Sequence, residues 1–579
     1  MRRTSRLVVT ALIAILAMLA GSGCTVIPPS APYTVNDEGA GDPLTKPFQR
    51  MIAIGPQRSW GPIETFRGLQ AAMAAYPEDP AVLQQYLTPQ ARQKWSASGP
   101  VTVIEDLYEV IPPASMDGTE PSMKITVKGR WVAQISEDDS YKPTAGPWSQ
   151  DFELVREPGG GYRVNSLPQG LLLTAADVAR SYRPTNLYYL ALDGQSRLVV
   201  DRVRLRLKTT ETYAETVLKR LLEPPTEALR GAVTTGFPAG SAIESIRSGE
   251  ERVVINLRGD FDVLDLSAED ALRAQIRHSL NNNEIAKGRI IEVQVDGEPY
   301  ITDRPGTEDS WLGDGGERAY YVDNGALHYL GQDGAAGAVA GAAGEQRDGY
   351  DHFAVSKDNG NGIYVAARTS TGVSIAKIGQ DGGWQEVIQG KHLTPPTWRR
   401  DGTLWTYDRD KQALLRYDPN GSGGPQRVAT PKQFVGLNIT GLRIARDGVR
   451  VVVTIDNETV QIGALIGEGR GVRLGNLQSL TTTEGSDEII DVAWADDLRL
   501  LVLVKSKAGQ ILNEINVGDG QTSGVPLKDR VSSLAALNDR ILAGVGSGGD
   551  GKILELNQDR QTWTAKLESA AGDPLFPLG

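Results

Sequence analysis

Apolar positions recur at helical spacing from Ile63 to Tyr76, where Ile63, Phe66, Leu69, Met73 and Tyr76 fall on one side, as a single buried helix face requires. Thr88-Pro89 reads as an N-cap with proline at the first helical position, opening a short helix that runs to Trp95. Strands follow over Val101–Val110, Met123–Ile135, Gln150–Glu157 and Tyr162–Ser166, the last two joined at Gly159-Gly160-Gly161. Helices followed by an antiparallel sheet argue an α+β domain over residues 61–185. From Asn186 the chain reads NLYYLALDGQSRLVVDRVRLR, two strands about a DG turn. Ala214, Val217, Leu218, Leu221 and Leu222 then share a helix face, and Glu223-Pro224-Pro225 ends that helix. More strands are expected in GFPAGSAIESIRSGEERVVINLRGDF. Ser267 to Asp270 reads as a capping-box start for a helix carrying Leu272, Ile276 and Leu280. IIEVQVDG closes this second α+β domain, residues 186–302.

Beyond about residue 311 the pattern becomes short strands separated by Asp-containing turns. The units are FAVSKDNGNGIYVAA, TWRRDGTLWTYD, GLRIARDGVRVVVTI, DVAWADDLRLLVLV and SLAALNDRILAGV. Their anchor residues Asp358, Asp401, Asp447, Asp497 and Asp539 are 43, 46, 50 and 42 residues apart. Each anchor is followed by a β-rich run, a further strand and usually a fourth. Four strands per unit at that period predict an all-β propeller over residues 311–579, because a blade buries its faces only against neighbours in a ring. Five units are complete. YYVDNGALHYLGQDGAAGAVAG supplies the outer part of another, whose innermost strand would come from the C-terminal PLFPLG or from Ser310-Trp311-Leu312. Six blades are favoured, with five or seven left open.

The N-terminus departs from all of these patterns. Arg2, Arg3 and Arg6 precede an uncharged, mostly apolar run from Leu7 to Ala20. That run is shorter than the ~20 residues a bilayer span needs and suits the apolar core of a secretory signal. Gly21, Ser22, Gly23 and then Cys24, the single cysteine, follow it. The next stretch, to about residue 60, is rich in Pro, Gly and small polar residues and is expected to be a flexible tether, residues 24–60. A chain of 579 residues exceeds what one core supports. The net charge is −12, and about −15 once the three signal arginines are gone. Such a polyanion is a poor nucleic-acid binder, since phosphate contacts need clustered Lys and Arg. With one cysteine, no disulfide can form within the chain.

No complete catalytic motif occurs in the sequence. Gly546 to Lys552 fits the first seven positions of a phosphate-binding loop, but Ile553 stands where Ser or Thr would hold Mg²⁺. A strand, KILEL, follows where a helix N-terminus is required. The Gly run from Gly334 to Gly344 lacks a βαβ context. His278, His328, His352 and His392 are scattered, HExxH is absent, and no full calcium-loop pattern occurs. A serine-nucleophile elbow is approached at Gly544 to Gly548 only out of frame, around Ser547. The Asp-Gly turns at Asp401 and Asp447 read as turn formers. Trp398, Trp405, Trp494 and Trp563 lie in blade strands and read as core. The expectation is therefore no enzyme, no catalytic residue, no metal site and no cofactor.

Several stretches resemble known families. Residues 1–24 resemble the bacterial lipoprotein signal, with Gly21 where Leu is commonest. The resemblance implies cleavage after residue 23, lipid on Cys24, and a body anchored to the cell membrane on its extracytoplasmic side. The first domain is similar to the cone-shaped nuclear-transport-factor fold, a likeness of fold alone. The second, through LYYL, KRLLEPP, FPAGSAIESI, LSAEDALRAQI and VQVDGEP, resembles the GerM-like domain of exported envelope proteins. The blades are similar to bacterial TolB-type repeats. The whole order resembles the actinobacterial LpqB lipoprotein family. That resemblance implies a partner, the extracytoplasmic sensor domain of an MtrB-like membrane histidine kinase, and a role in two-component signalling for envelope homeostasis and division. A cell-wall glycan or peptidoglycan-binding module and a propeller hydrolase are the alternatives.

Overall fold

The computed structural model describes residues 33–36, 49–76, 78–113, 121–193, 196–206, 211–306, 310–312, 318–379, 382–483, 485–546, 551–568 and 572–578. The signal stretch and Cys24 lie outside them. No described helix is long and apolar enough to cross a membrane. The described chain forms two compact units. One is built mainly from Pro47–Trp131 and Gly146–Ser181, the other from Val132–Ala145 and Tyr182–Gly579.

In the first unit the helix expected from Ile63 spans Pro62–Ala75 and buries Phe66, Leu69 and Met73. Phe66 meets Phe152 of the sheet edge-on at 4.8 Å between ring centroids. The Thr88-Pro89 cap is present: the Thr88 hydroxyl accepts the Ala91 amide and the helix runs Pro89–Lys94. A further short helix, Pro80–Gln85, is capped by Asp79. The sheet contains Val101–Ile104, Ser122–Ile135, Tyr141–Arg156, Tyr162–Ser166 and Leu172–Thr174, with Glu109–Ile111 paired to Ser122–Ile135. This is the α+β architecture read from the sequence. Packing begins earlier than residue 61, because Ala53 and Trp60 are buried and Tyr86 donates to the Ile54 carbonyl. Within the stretch expected to be tether, Tyr33–Asn36 pairs antiparallel with Gln49–Ile52.

The main run of the second unit begins with Tyr182–Ala191, antiparallel to Leu198–Arg206 on one side and Val233–Thr234 on the other. A four-stranded sheet follows, Ala242–Ser248, Arg252–Arg258, Ile290–Val295 and Glu298–Asp303 in that order, its middle pair parallel. Helix Tyr213–Leu222 starts on Thr212 and stops before the prolines, as its sequence dictates. Helix Leu266–Asn281 is capped by Asp265, which accepts the Ala268 amide at 2.8 Å, and not by the Ser267 box. A carboxylate is an N-cap as good as serine and adds charge favourable to the helix N-terminus.

Among the described residues, six four-stranded sheets form the propeller. Five are sequential, and the sixth pairs Gly572–Leu575 with Ala319–Asp323, so the C-terminus closes the ring. Trp311, the alternative source of that strand, instead packs with Tyr188, Leu198 and Ala271 of the middle domain. Trp398, Trp405 and Trp494 are fully buried, and Trp398 and Trp494 each donate to a main-chain carbonyl of the preceding blade. Those two stitch the seams between blades, while Trp405 donates to Thr403 of its own blade; Trp563, also expected in the core, is half-buried on the outer strand Trp563–Leu567 and donates to the Pro526 carbonyl.

Candidate functional site at the propeller channel

The innermost strands are Asp351–Val355, Thr397–Trp398, Ile439–Ile444, Glu488–Trp494, Val531–Leu537 and Gly572–Leu575. Their first residues gather at one end of the channel, and the turns that directly follow these innermost strands lie at the other. The turn end is occupied by the chain itself. Arg446, 1% exposed, donates to the Pro577 carbonyl at 2.6 Å and the Ala536 carbonyl at 3.0 Å.

The middle domain also engages this end. Asp193 meets Arg399 at 3.4 Å, Arg197 meets Asp497 at 2.9 Å, and Arg450 donates to the Val200 carbonyl. Arg202 and Arg204 share Asp519 at 2.8 and 3.1 Å. Val449, Ala464 and Ile466 of the propeller join the middle domain's apolar core. Continuous apolar burial with paired, buried ions makes a fixed junction, since each ion would be costly to strand without its partner.

The strand-start end holds a cavity of about 250 Å³ whose lining includes His352, Arg443, Asp491, Ser533 and Asp573. Arg443 binds Asp491 at 2.9 Å. Asp491 also accepts the amides of Val492 at 2.9 Å and Leu534 at 2.8 Å. Burial raises its carboxyl above the ordinary range, with the neighbouring Asp573 adding to that, against the pull of Arg443 and the amides. His352 is held below its usual value by desolvation first and by Arg368 second. His352 and Asp573 both adopt positive φ, +45° and +34°, a costly backbone region for non-glycine residues that clusters where structure is held for a purpose. The mouth can offer a mixed surface of the Arg443–Asp491 pair, Arg368 held by Asp351, the Asp573 carboxylate, hydroxyls and an imidazole.

The other sequence candidates disperse. His278 lies beside the Tyr188 ring, His328 stacks on Tyr321, and His392 pairs with Asp410. Among the described residues no group of three His, Cys, Asp or Glu side chains is placed to hold a metal. Lys552–Leu556 is a strand, as KILEL reads, and Ser547 lies outside the described residues. Asp358, Asp401 and Asp447 accept the amides of their own turns. In the unit DVAWADDLRLLVLV the turn former is Asp496, which accepts from Leu498 and Arg499 at 2.8 Å. Asp497, the expected anchor, faces the middle domain instead. The Asp-Asp doublet made either register readable, and only the Arg197 partner on another domain separates their roles.

Three family models match in chain order. "Lipoprotein LpqB, N-terminal domain" covers residues 55–179, "Sporulation and spore germination" covers 186–301, and "Lipoprotein LpqB beta-propeller domain" covers 325–577. Lipoprotein LpqB of Thermobifida fusca (strain YX) is 26% identical over 639 residues, covering 99% of each chain. Lipoprotein LpqB of Streptomyces avermitilis is 26% identical over 572 residues, covering 91% of this chain and 92% of that one. Among solved structures, a puromycin hydrolase shares 12% identity at a TM-score of 0.32, over 45% of this chain and 53% of that one, which carries no inference about activity. With both LpqB-specific domains present, the intervening domain in its place and the likeness running the length of the protein, the chain belongs to the LpqB lipoprotein family.

Proposed function

We propose that this protein is a lipid-anchored, extracytoplasmic binding protein that engages the sensor domain of an MtrB-like membrane histidine kinase and biases its signalling without catalysing a reaction. The observation that carries the reading is the full-length likeness to LpqB lipoproteins, all three domains in order. A lipid on Cys24 would hold the body beside a partner in the same membrane, raising its effective concentration. Tighter binding to one signalling state of the sensor then shifts that equilibrium by the difference in affinity. With the turn end of the channel occupied by Arg446 and the middle domain, the mouth around Arg443 and Asp491 is the contact surface this reading favours.

The test is genetic. Deleting the gene and measuring phosphorylation of the cognate response regulator under envelope stress should show altered output, restored by the native protein. Unchanged phosphorylation sinks the proposal. Arg443→Glu, which reverses one charge of the mouth, should fail to restore the output while leaving the protein in the membrane.

A further inference from the structure

A second cavity, about 330 Å³, lies within the second unit where three segments meet. Its walls are the hairpin tip Ser140 to Pro143, the middle domain at Arg202 and Leu229, and the outer strand of the fourth blade at Asn476 to Leu480. The turn Val517 to Gly520 closes the edge. Two glycines fix that edge: a Cβ on Gly518 would stand 2.6 Å from the Arg202 Cβ, and one on Gly520 would stand 2.0 Å from Pro143. The volume lies in the range of small-molecule sites, and such sites favour domain junctions.

The chemistry of the lining is specific in what it withholds. Every cation on it is already bonded to a carboxylate: Lys142 to Glu227 at 3.6 Å, Arg202 to Asp519 at 2.8 Å and Arg450 to Asp447 at 2.7 Å. Asp201 is taken by the amide and hydroxyl of Thr226, at 2.8 and 2.9 Å. Asn476 spends its NH₂ on the carbonyls of Ala228 and Arg230, which leaves its side-chain oxygen as an acceptor. Gln478 and Ser479 make no side-chain hydrogen bond among the described residues. What remains for a ligand is the Gln478 amide, the hydroxyls of Ser479 and Tyr141, the Asn476 side-chain oxygen and the apolar wall of Pro143, Leu229, Ile462, Leu480 and Val517. We infer that this junction cleft is a binding site for a neutral, acetamido-bearing sugar, whose amide and hydroxyls match the unspent groups and whose ring C–H face matches the wall. The inference does not depend on the kinase reading.

The test uses the full mature protein in detergent with N,N′-diacetylchitobiose as probe, followed by calorimetry and by ligand-observed NMR. Saturable binding is expected, undisturbed by inorganic phosphate or laurate. Ser479→Trp, at an exposed position, should fill the cleft and weaken binding at least about tenfold. Gln478→Ala should weaken it about fivefold, the loss of one hydrogen bond, with an unchanged thermal midpoint. Absence of saturable binding, or binding that both variants leave intact, overturns the inference. So does displacement of the sugar by laurate, which would make the cleft an acyl-chain site, or by phosphate, which would make it an anion site.

Discussion

Arg197 and Asp497 are 300 residues apart in the chain and 2.9 Å apart in the folded protein. The guanidinium is 3% exposed and the carboxylate 15%, so the pair is held out of water at the junction of middle domain and propeller. Removing one member of such a pair leaves a buried charge behind. Asp497→Ala is expected to cost about 3 kcal/mol and to open the junction to limited proteolysis while each domain stays folded. Asp496→Ala, one residue away, should act differently: it removes the turn acceptor and the Arg499 partner of the fifth blade. Proteolysis within the propeller, and not at the junction, would mark it. Identical cleavage patterns for the two variants would contradict the division of roles.

Ring closure rests on the last described residues. Phe576 is 1% exposed in the seam beside the strand Gly572–Leu575, and the Pro577 carbonyl receives Arg446 from across the channel. Phe576→Ala is expected to cost about 3–5 kcal/mol. Truncation after Glu568 removes a whole innermost strand and should abolish the cooperative unfolding of the propeller in calorimetry. A truncated chain that melts like the native one would show that the ring closes otherwise.

Asp139 sits at φ +61° on the hairpin tip and accepts from Arg220 at 2.9 Å. Burial pushes its carboxyl up to about 6 against the attraction of Arg220. The folded state therefore holds this proton more tightly than the unfolded chain does. Stability from this group is full below the ordinary carboxylate range and is lost as pH rises towards about 6. The ceiling is about 1.4 kcal/mol per pH unit, and partial exposure of the side chain keeps the effect well below it. Denaturant titrations of Asp139→Asn should show a flatter dependence than the native protein between about pH 4 and 6. A steeper one would reverse the sign argued here.

Cys24→Ala should leave the folded domains intact, release the protein from the membrane fraction and weaken signalling. A substituted protein that still sediments with membranes would mean that the apolar run from Leu7 to Ala20 is retained as an anchor.

Local chemistry made much of the architecture legible. Thr88-Pro89 announces its helix because a hydroxyl acceptor and a proline at N1 satisfy or remove orphan donors whatever surrounds them. The blades are readable from Asp358, Asp401 and Asp447 because an Asx turn is made within a few residues. The helix at Leu266 was readable as a helix but not at its first residue, since Asp265 and Ser267 are both competent caps.

The sequence by itself determined the domain order, the repeat with its period and the burial of Trp398, Trp405 and Trp494, all carried by spacing and by side-chain type. Only the tertiary structure decided that Gly572–Leu575 and not Trp311 completes the first blade, so that the described residues form six blades. It alone decided that Asp497 serves the middle domain while Asp496 makes the turn, and that one end of the channel is closed by Arg446. Each of these depends on which groups meet across long stretches of chain, and a local pattern carries no record of a partner that only the folded protein brings within hydrogen-bond reach.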